Sequence, residues 1–243
     1  MSTRRDVALQ RLYLTILLLN PNESLLIMTL RWKIAQAFEI RWWQRYLKHK
    51  PTTDYRVWKS DYWLTLLKDI GLSDILQDST HRILDAGCGP AGIFMLFKNQ
   101  KQVDALDPLL SGYETKLPHF KQSHYPNVKF YAQTLESFDK KAEYDTLFCL
   151  NAINHVANLS ECFDVLVNAT KSGGNIVVSI DAHNYDFLKQ IFQLIPGDIL
   201  HPHQYNLTEY SEMLTQRGCV IEKTVLYKKE FIFNYFILVA KKK

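Results

Sequence analysis

The 243-residue chain has few cysteines and no C-x-x-C pair. Cys88, Cys149, Cys162 and Cys219 stand far apart, each beside apolar or glycine neighbours. That pattern argues against a zinc ribbon, a redox pair or a disulfide scaffold, and matches the reduced cysteines of a cytoplasmic protein. Long apolar runs are missing too. Leu12 to Leu19 follows Arg4, Arg5 and Arg11, but Asn20, Pro21, Asn22 and Glu23 interrupt it, so no stable membrane insertion is expected. No small-x-small cleavage site follows it, which argues against a signal peptide. A basic stripe is also absent. Of the net charge of +4, three charges sit in Lys241, Lys242 and Lys243, and pairs such as Lys140-Lys141 and Lys228-Lys229 do not make a nucleic-acid-binding face. There is no internal repeat and no low-complexity linker. Nothing in the pattern specifies an oligomeric state.

What is present suits a packed fold. Apolar residues make up 47% and charged residues 22%, enough for one domain with additions. Residues 1–30 read as an N-terminal extension, with Met28 as the expected natural start. Residues 31–75 read as a helical cap. Ile34, Phe38, Trp42 and Tyr46 recur at i, i+4, with Ala35, Trp43 and Leu47 beside them, and Pro51 ends that pattern. A second helix, capped by Thr52 or Thr53 and stopped by Gly71, lines up Tyr55, Trp58, Tyr62, Trp63, Leu66, Leu67 and Ile70.

Residues 76–243 alternate strands and helices. "RILDAG", "QVDALDP", "VKFYAQ", "YDTLFCLN" and "GGNIVVSI" read as strands, with "FMLFK" and "LSECFDVLVNATK" as helices. This rhythm predicts an α/β fold with a parallel sheet covered on both faces. The ending differs. "CVIEKTVLYKKEFIFNYFILVA" reads as two strands joined by a tight polar turn around Lys228 to Glu230, and strands joined so tightly are antiparallel. "FIFNYFILVA" is apolar at nearly every position, so this last strand belongs inside the sheet.

The chemistry starts at "ILDAGCGPAGIF", with glycines at 87, 89 and 92. Glycines let backbone approach a ligand, and a loop at a strand's carboxyl end is the expected site of a doubly wound sheet. Alone, the spacing fits either a dinucleotide or another nucleoside ligand. Asp85 tips the balance, because a carboxylate there repels a pyrophosphate and suits a ligand with a cationic group. Asp107, 20 residues after Gly87 and ending the second strand, suits ribose hydroxyls in either case. The C-terminal hairpin is foreign to the dinucleotide fold.

With these motifs in order, residues 80–243 resemble the class I S-adenosylmethionine-dependent methyltransferases, in the group with small-molecule and quinone-type members. "LDAGCGPAG" resembles the family's acidic glycine loop, "ALDP" its ribose-binding acid, "AQTLESF" its adenine-contacting segment, "YDTLFCLNAINHV" its fourth strand and turn, and "SGGNIVVS" its turn into the fifth strand. Ala91 stands where the common loop has its third glycine, and Gln133-Thr134 where an acid is frequent. The resemblance implies a Rossmann-like, doubly wound, seven-stranded, mostly parallel sheet with an antiparallel C-terminal strand and N-terminal helices. It implies S-adenosyl-L-methionine as cofactor, bound by Asp85, Gly87, Cys88, Gly89, Asp107, Pro108, Thr134, Leu135 and Asn151. No D/N-P-P-Y follows the fourth strand and no Pro-Cys pair is present, so a small organic acceptor methylated at oxygen or carbon is expected, with no nucleic acid as partner and no metal.

Methyl transfer from a sulfonium needs alignment and water exclusion, and needs a base only if the acceptor must lose a proton. His155, His201 and His203 are the candidate catalytic residues. His155 follows the fourth strand, and Pro202 puts His201 and His203 on one side of extended backbone. Each has a plainer reading: a turn residue for His155, and an exposed entry to a helix capped by Asn206 or Thr208 for the pair. His183 is a further lining candidate. The aromatic helices are core, or a lid shaping an apolar acceptor pocket, or both. A nicotinamide-dependent oxidoreductase and a non-catalytic cofactor-binding module are the rival readings.

Overall fold

The structure, a computed structural model, describes residues 36–100, 102–183, 205–229 and 233–243. Five parallel strands come first: β1 (Ile83–Ala86), β2 (Val103–Leu106), β3 (Val128–Tyr131), β4 (Tyr144–Cys149) and β5 (Thr170–His183). Two long strands, β6 (Cys219–Lys229) and β7 (Phe233–Lys242), complete one sheet in the order β3-β2-β1-β4-β5-β7-β6. β7 runs antiparallel to both β5 and β6 and lies between them.

Alternation along the strands sorts the core into two layers. Ile83, Ala105, Phe148, Val177, Ile237 and Val239 join one buried cluster; Leu84, Leu106, Cys149, Val178, Leu238 and Ala240 join the other. Both faces of β7 are therefore buried, as its unbroken apolar run requires. β6 is the sheet edge. It is mostly exposed, carries Lys223, Lys228 and Lys229, and has register shifts at Ile221/Lys223 and Leu226/Lys228. Charge and bulges of this kind discourage pairing with another chain.

Helix α1, over residues 36–47, and helix α2 (Thr52–Ile70) pack on the first face. Trp63, Leu66, Leu67 and Ile70 share a cluster with Ile83 and Val103, so these helices and the sheet have one core. Leu66 and Leu67 are fully buried, each contributing roughly 1.5–3 kcal/mol. Pro51 occupies the N-cap of α2 and no side chain caps it, so neither threonine has the expected role. Gly71 ends the helix, and Lys223 Nζ donates to Asp69 O at 2.7 Å beside that end. α3 (Leu110–Lys116) also lies on this face, while α4 (Leu159–Ala169) and α5 (Leu207–Thr215) cover the other. Asn206 and Glu209 form a capping box on α5, in line with the expected Asn206 cap.

One expected helix is missing. "FMLFK" forms only a short 3-10 turn, Ile93–Leu96. The Phe94 N–H is held by Asp85 Oδ2 at 3.0 Å, which folds this segment back onto the end of β1.

Candidate functional site

The chain runs from β1 outward through β2 and β3, then returns to place β4 on the other side of β1. Crevices at such a reversal, beyond the strands' carboxyl ends, are where doubly wound sheets bind ligands. A cavity lies there. Its lining includes Asp85, Gly87, Cys88, Gly89, Asp107, Pro108, Thr134, Leu135 and Asn151, all nine residues expected from the sequence, drawn from four separate segments.

Two close approaches shape the glycine loop. Gly87 has φ of +72°, and a Cβ there would overlap Ala152 Cβ. A Cβ on Gly92 would overlap Asp85 Oδ2 and the Cys88 carbonyl. Across the cavity, Asn151 adopts φ of 56°, and its N–H donates to Ser179 Oγ at 2.7 Å. A non-glycine residue held there by such a bond marks a constrained turn at the end of β4.

Both aspartates are buried. Asp107 accepts from Gly89 N at 2.9 Å and from Leu109 N at 2.8 Å, one bond to each oxygen. A carboxylate has about four acceptor positions, so about two remain for ligand hydroxyls. Burial, followed by the Glu39 charge, raises Asp107 to about 7. Burial raises Asp85 to about 7 as well, against the pull of the Phe94 and Ile93 N–H groups and Lys59. Burial, with Asp107 and Asp85, pushes the Cys88 thiol well above its ordinary range. Cys88 is therefore a protonated lining residue and no thiolate nucleophile.

The helices close the cavity from above. Gln36, Glu39 and Trp43 of α1 and Lys59 and Trp63 of α2 line it. Trp63 Nε1 donates to Ala91 O at 3.0 Å, tying α2 to the glycine loop. Tyr113 donates to Glu39 at 2.9 Å, tying α1 to α3. Trp58 and Tyr62, expected on this lid face, do not line it, and Trp58 is 52% exposed. Gln36, Glu39, Lys59 and Glu136 are lining residues that motif reading missed. Glu136 is engaged by the Ala157 and Asn158 N–H groups at the approach to α4. For Lys59 a signal existed: a lysine set among Trp58, Tyr62 and Trp63 within the aromatic stripe.

Of the histidines, the exposed His155 lines the cavity. The buried His183 ends β5 with its ring tilted against Phe233, and it is not among the cavity's lining residues. His201 and His203 lie outside the described residues, as do residues 1–35 and the whole of the expected extension.

Comparison with known proteins agrees with this geometry. The profile of a family described as a methyltransferase domain matches residues 77–197. The ubiquinone biosynthesis O-methyltransferase of Rickettsia bellii is 29% identical over 180 residues, covering 65% of this chain and 75% of that protein. The chain belongs to the class I S-adenosylmethionine-dependent methyltransferases. The solved structures speak to its fold. The 1,6-didemethyltoxoflavin-N1-methyltransferase of Burkholderia thailandensis aligns with a TM-score of 0.61 at 14% identity, over 93% of this chain and 92% of that one. The magnesium protoporphyrin IX methyltransferase of Synechocystis aligns at 0.59 with 21% identity, over 85% and 94%. As a methyltransferase of small molecules, the protein needs a site that takes a nucleoside and a cation. The acids Glu39, Asp85, Asp107 and Glu136 in the lining fit a cationic sulfonium ligand and oppose a pyrophosphate. Among the described residues no helix is long and apolar enough to cross a membrane.

Proposed function

We propose that this methyltransferase binds S-adenosyl-L-methionine in the cavity over β1, β2 and β4 and methylates an oxygen of a small hydroxylated acceptor. The convergence of nine motif residues on one acidic cavity supports the cofactor assignment. Asp107 holds the ribose hydroxyls with its remaining acceptor positions. Thr134, Leu135 and Pro108 flank the base. Gly87, Cys88 and Gly89 bring backbone against the amino-acid end, and Asn151 meets it from β4. The cofactor supplies an activated methyl group on a sulfonium sulfur. The protein's work is then to align the acceptor oxygen and to keep water out, which Trp43 and Trp63 do as part of the lid formed by α1 and α2. Oxygen as the methylated atom is supported by the Rickettsia relatives, each named as an O-methyltransferase in ubiquinone biosynthesis. The acidic lining opposes a polyanionic acceptor such as nucleic acid. Four free, buried cysteines suit the cytoplasm.

Calorimetric titration tests the cofactor assignment. Saturable binding of S-adenosylmethionine and of its demethylated product S-adenosylhomocysteine is expected, lost in Asp107→Ala, with no binding of NADH. Binding of NADH alone would make the protein an oxidoreductase.

A further inference from the structure

The cavity holds a cation that the cofactor assignment leaves without a role. Lys59 is the only lysine or arginine in its lining among the described residues, against four acids. Its Nζ lies 4.2 Å from the Trp63 ring centroid, 4.5 Å from Tyr62 and 5.8 Å from Trp58. Aromatic faces attract an ammonium but do not satisfy its three N–H donors as an oxygen would. Among the described residues no hydrogen bond or ion pair engages this nitrogen; Asp85 acts on it only through its field. Asp85 itself is committed to the Phe94 N–H. Burial lowers Lys59 to about 8, so an appreciable share is free amine near neutrality.

We propose that Lys59 is the base of this site: its Nζ takes the proton from a hydroxyl on a flat aromatic acceptor and then holds the resulting oxyanion. This rests on the methyltransferase reading above and adds to it the residue that meets the acceptor. Trp43 and Trp63, which line the cavity beside Lys59, offer aromatic faces for a planar ring, and Lys59 a single donor head for its oxygen. In the step, the acceptor O–H bond breaks and an N–H bond forms on Lys59. The electron pair left on oxygen attacks the methyl carbon as the carbon–sulfur bond breaks and its pair goes to sulfur, which leaves as a neutral thioether; the proton returns to solvent after product leaves. The titratable groups facing Lys59 are Asp85 from the end of β1 and Tyr62 from its own helix. Glu39, Asp107, Glu136 and His155 line the same cavity.

The test uses 4-nitrophenol, whose phenolate and phenol absorb differently, added to the full chain with saturating S-adenosylhomocysteine. Wild type is expected to bind it as phenolate at a pH where the free probe is largely protonated. Lys59→Met is expected to lose that signal while keeping its melting temperature. Lys59→Arg, which stays charged and cannot accept a proton, keeps the bound phenolate of this acidic probe but loses turnover of an acceptor with an ordinary, less acidic phenol. With an acceptor found by screening, kcat/KM is expected to rise through about pH 8 in wild type, and to fall about 100-fold with loss of that limb in Lys59→Met. Calorimetry with S-adenosylhomocysteine and with 5′-methylthioadenosine, which lacks the amino-acid end, separates the two sources of an anion. If Lys59→Met weakens only S-adenosylhomocysteine, the ammonium serves the cofactor's carboxylate and the proposal is overturned. Equal phenolate in both proteins, or none in wild type, overturns it too. If wild type binds neither nucleoside, the methyltransferase reading fails and this proposal falls with it.

Discussion

Asp85→Asn should make the ligand-free protein more stable at pH 8 while weakening its grip on the cofactor. Asp85 sits 2% exposed, and burial lifts its carboxyl from 3.8 to about 7. A raised carboxyl favours the neutral form in the fold. Its contribution to stability is therefore whole below pH 3.8 and is lost as pH rises through 7. A shift of about three units corresponds to a loss of about 4 kcal/mol once the group is ionised. Asparagine avoids that loss and keeps a carbonyl oxygen for the Phe94 N–H. The attraction of Lys59 already offsets part of the burial that sets this value, so nothing further is subtracted for it. The gain is about 4 kcal/mol, or roughly 8–16 °C in Tm for a chain of this size. Melting of wild type and variant without ligand, at pH 5.5 and 8, reads this out. The variant's advantage should be roughly half as large at the lower pH, because only part of the loss has built up there. A variant that melts at or below wild type at pH 8 would refute the account of Asp85 as a strained, functional carboxylate.

Two further substitutions probe the loop. Gly87→Ala combines a positive φ, costing about 1–2 kcal/mol, with overlap on Ala152. Adding Ala152→Gly should recover the overlap part and leave the φ part, as measured by denaturant unfolding; full recovery would show that φ does not matter there. Trp63→Phe removes the hydrogen bond to Ala91 and should cost about 1 kcal/mol through that bond, with weaker S-adenosylhomocysteine binding by calorimetry as the loop loses its tie to α2. Unchanged affinity would show that the loop holds its shape without the helix.

The strands and the glycine-loop half of the cavity were legible because each rests on a local rule. Apolar runs of set length mark the strands, and Asp85, Gly87, Gly89 and Asp107 lie at fixed offsets from two strand ends. The nearly continuous apolar run of β7 announced its place inside the sheet. The half lined by α1 and α2 was not legible in the same way. Whether Lys59 or Trp58 faces the cavity depends on how α2 rotates as it docks, and a stripe with aromatic residues on several sides leaves that rotation open. The 3-10 turn at Ile93–Leu96 was hidden for another reason. The capture of the Phe94 N–H by Asp85 is a tertiary contact, and it overrides the helical pattern of that segment.

The insertion of β7 between its two neighbours has a bearing on how the chain is made. β5 and β6 both leave the ribosome before the strand that joins them. Until Phe233–Lys242 follows, β5 keeps an open edge and β6 has no partner, so the nascent chain carries exposed strand edges late into synthesis. A protein cut short before Phe233 would keep the glycine loop and both aspartates of the site, yet would be expected to accumulate as aggregate and not as an inactive enzyme.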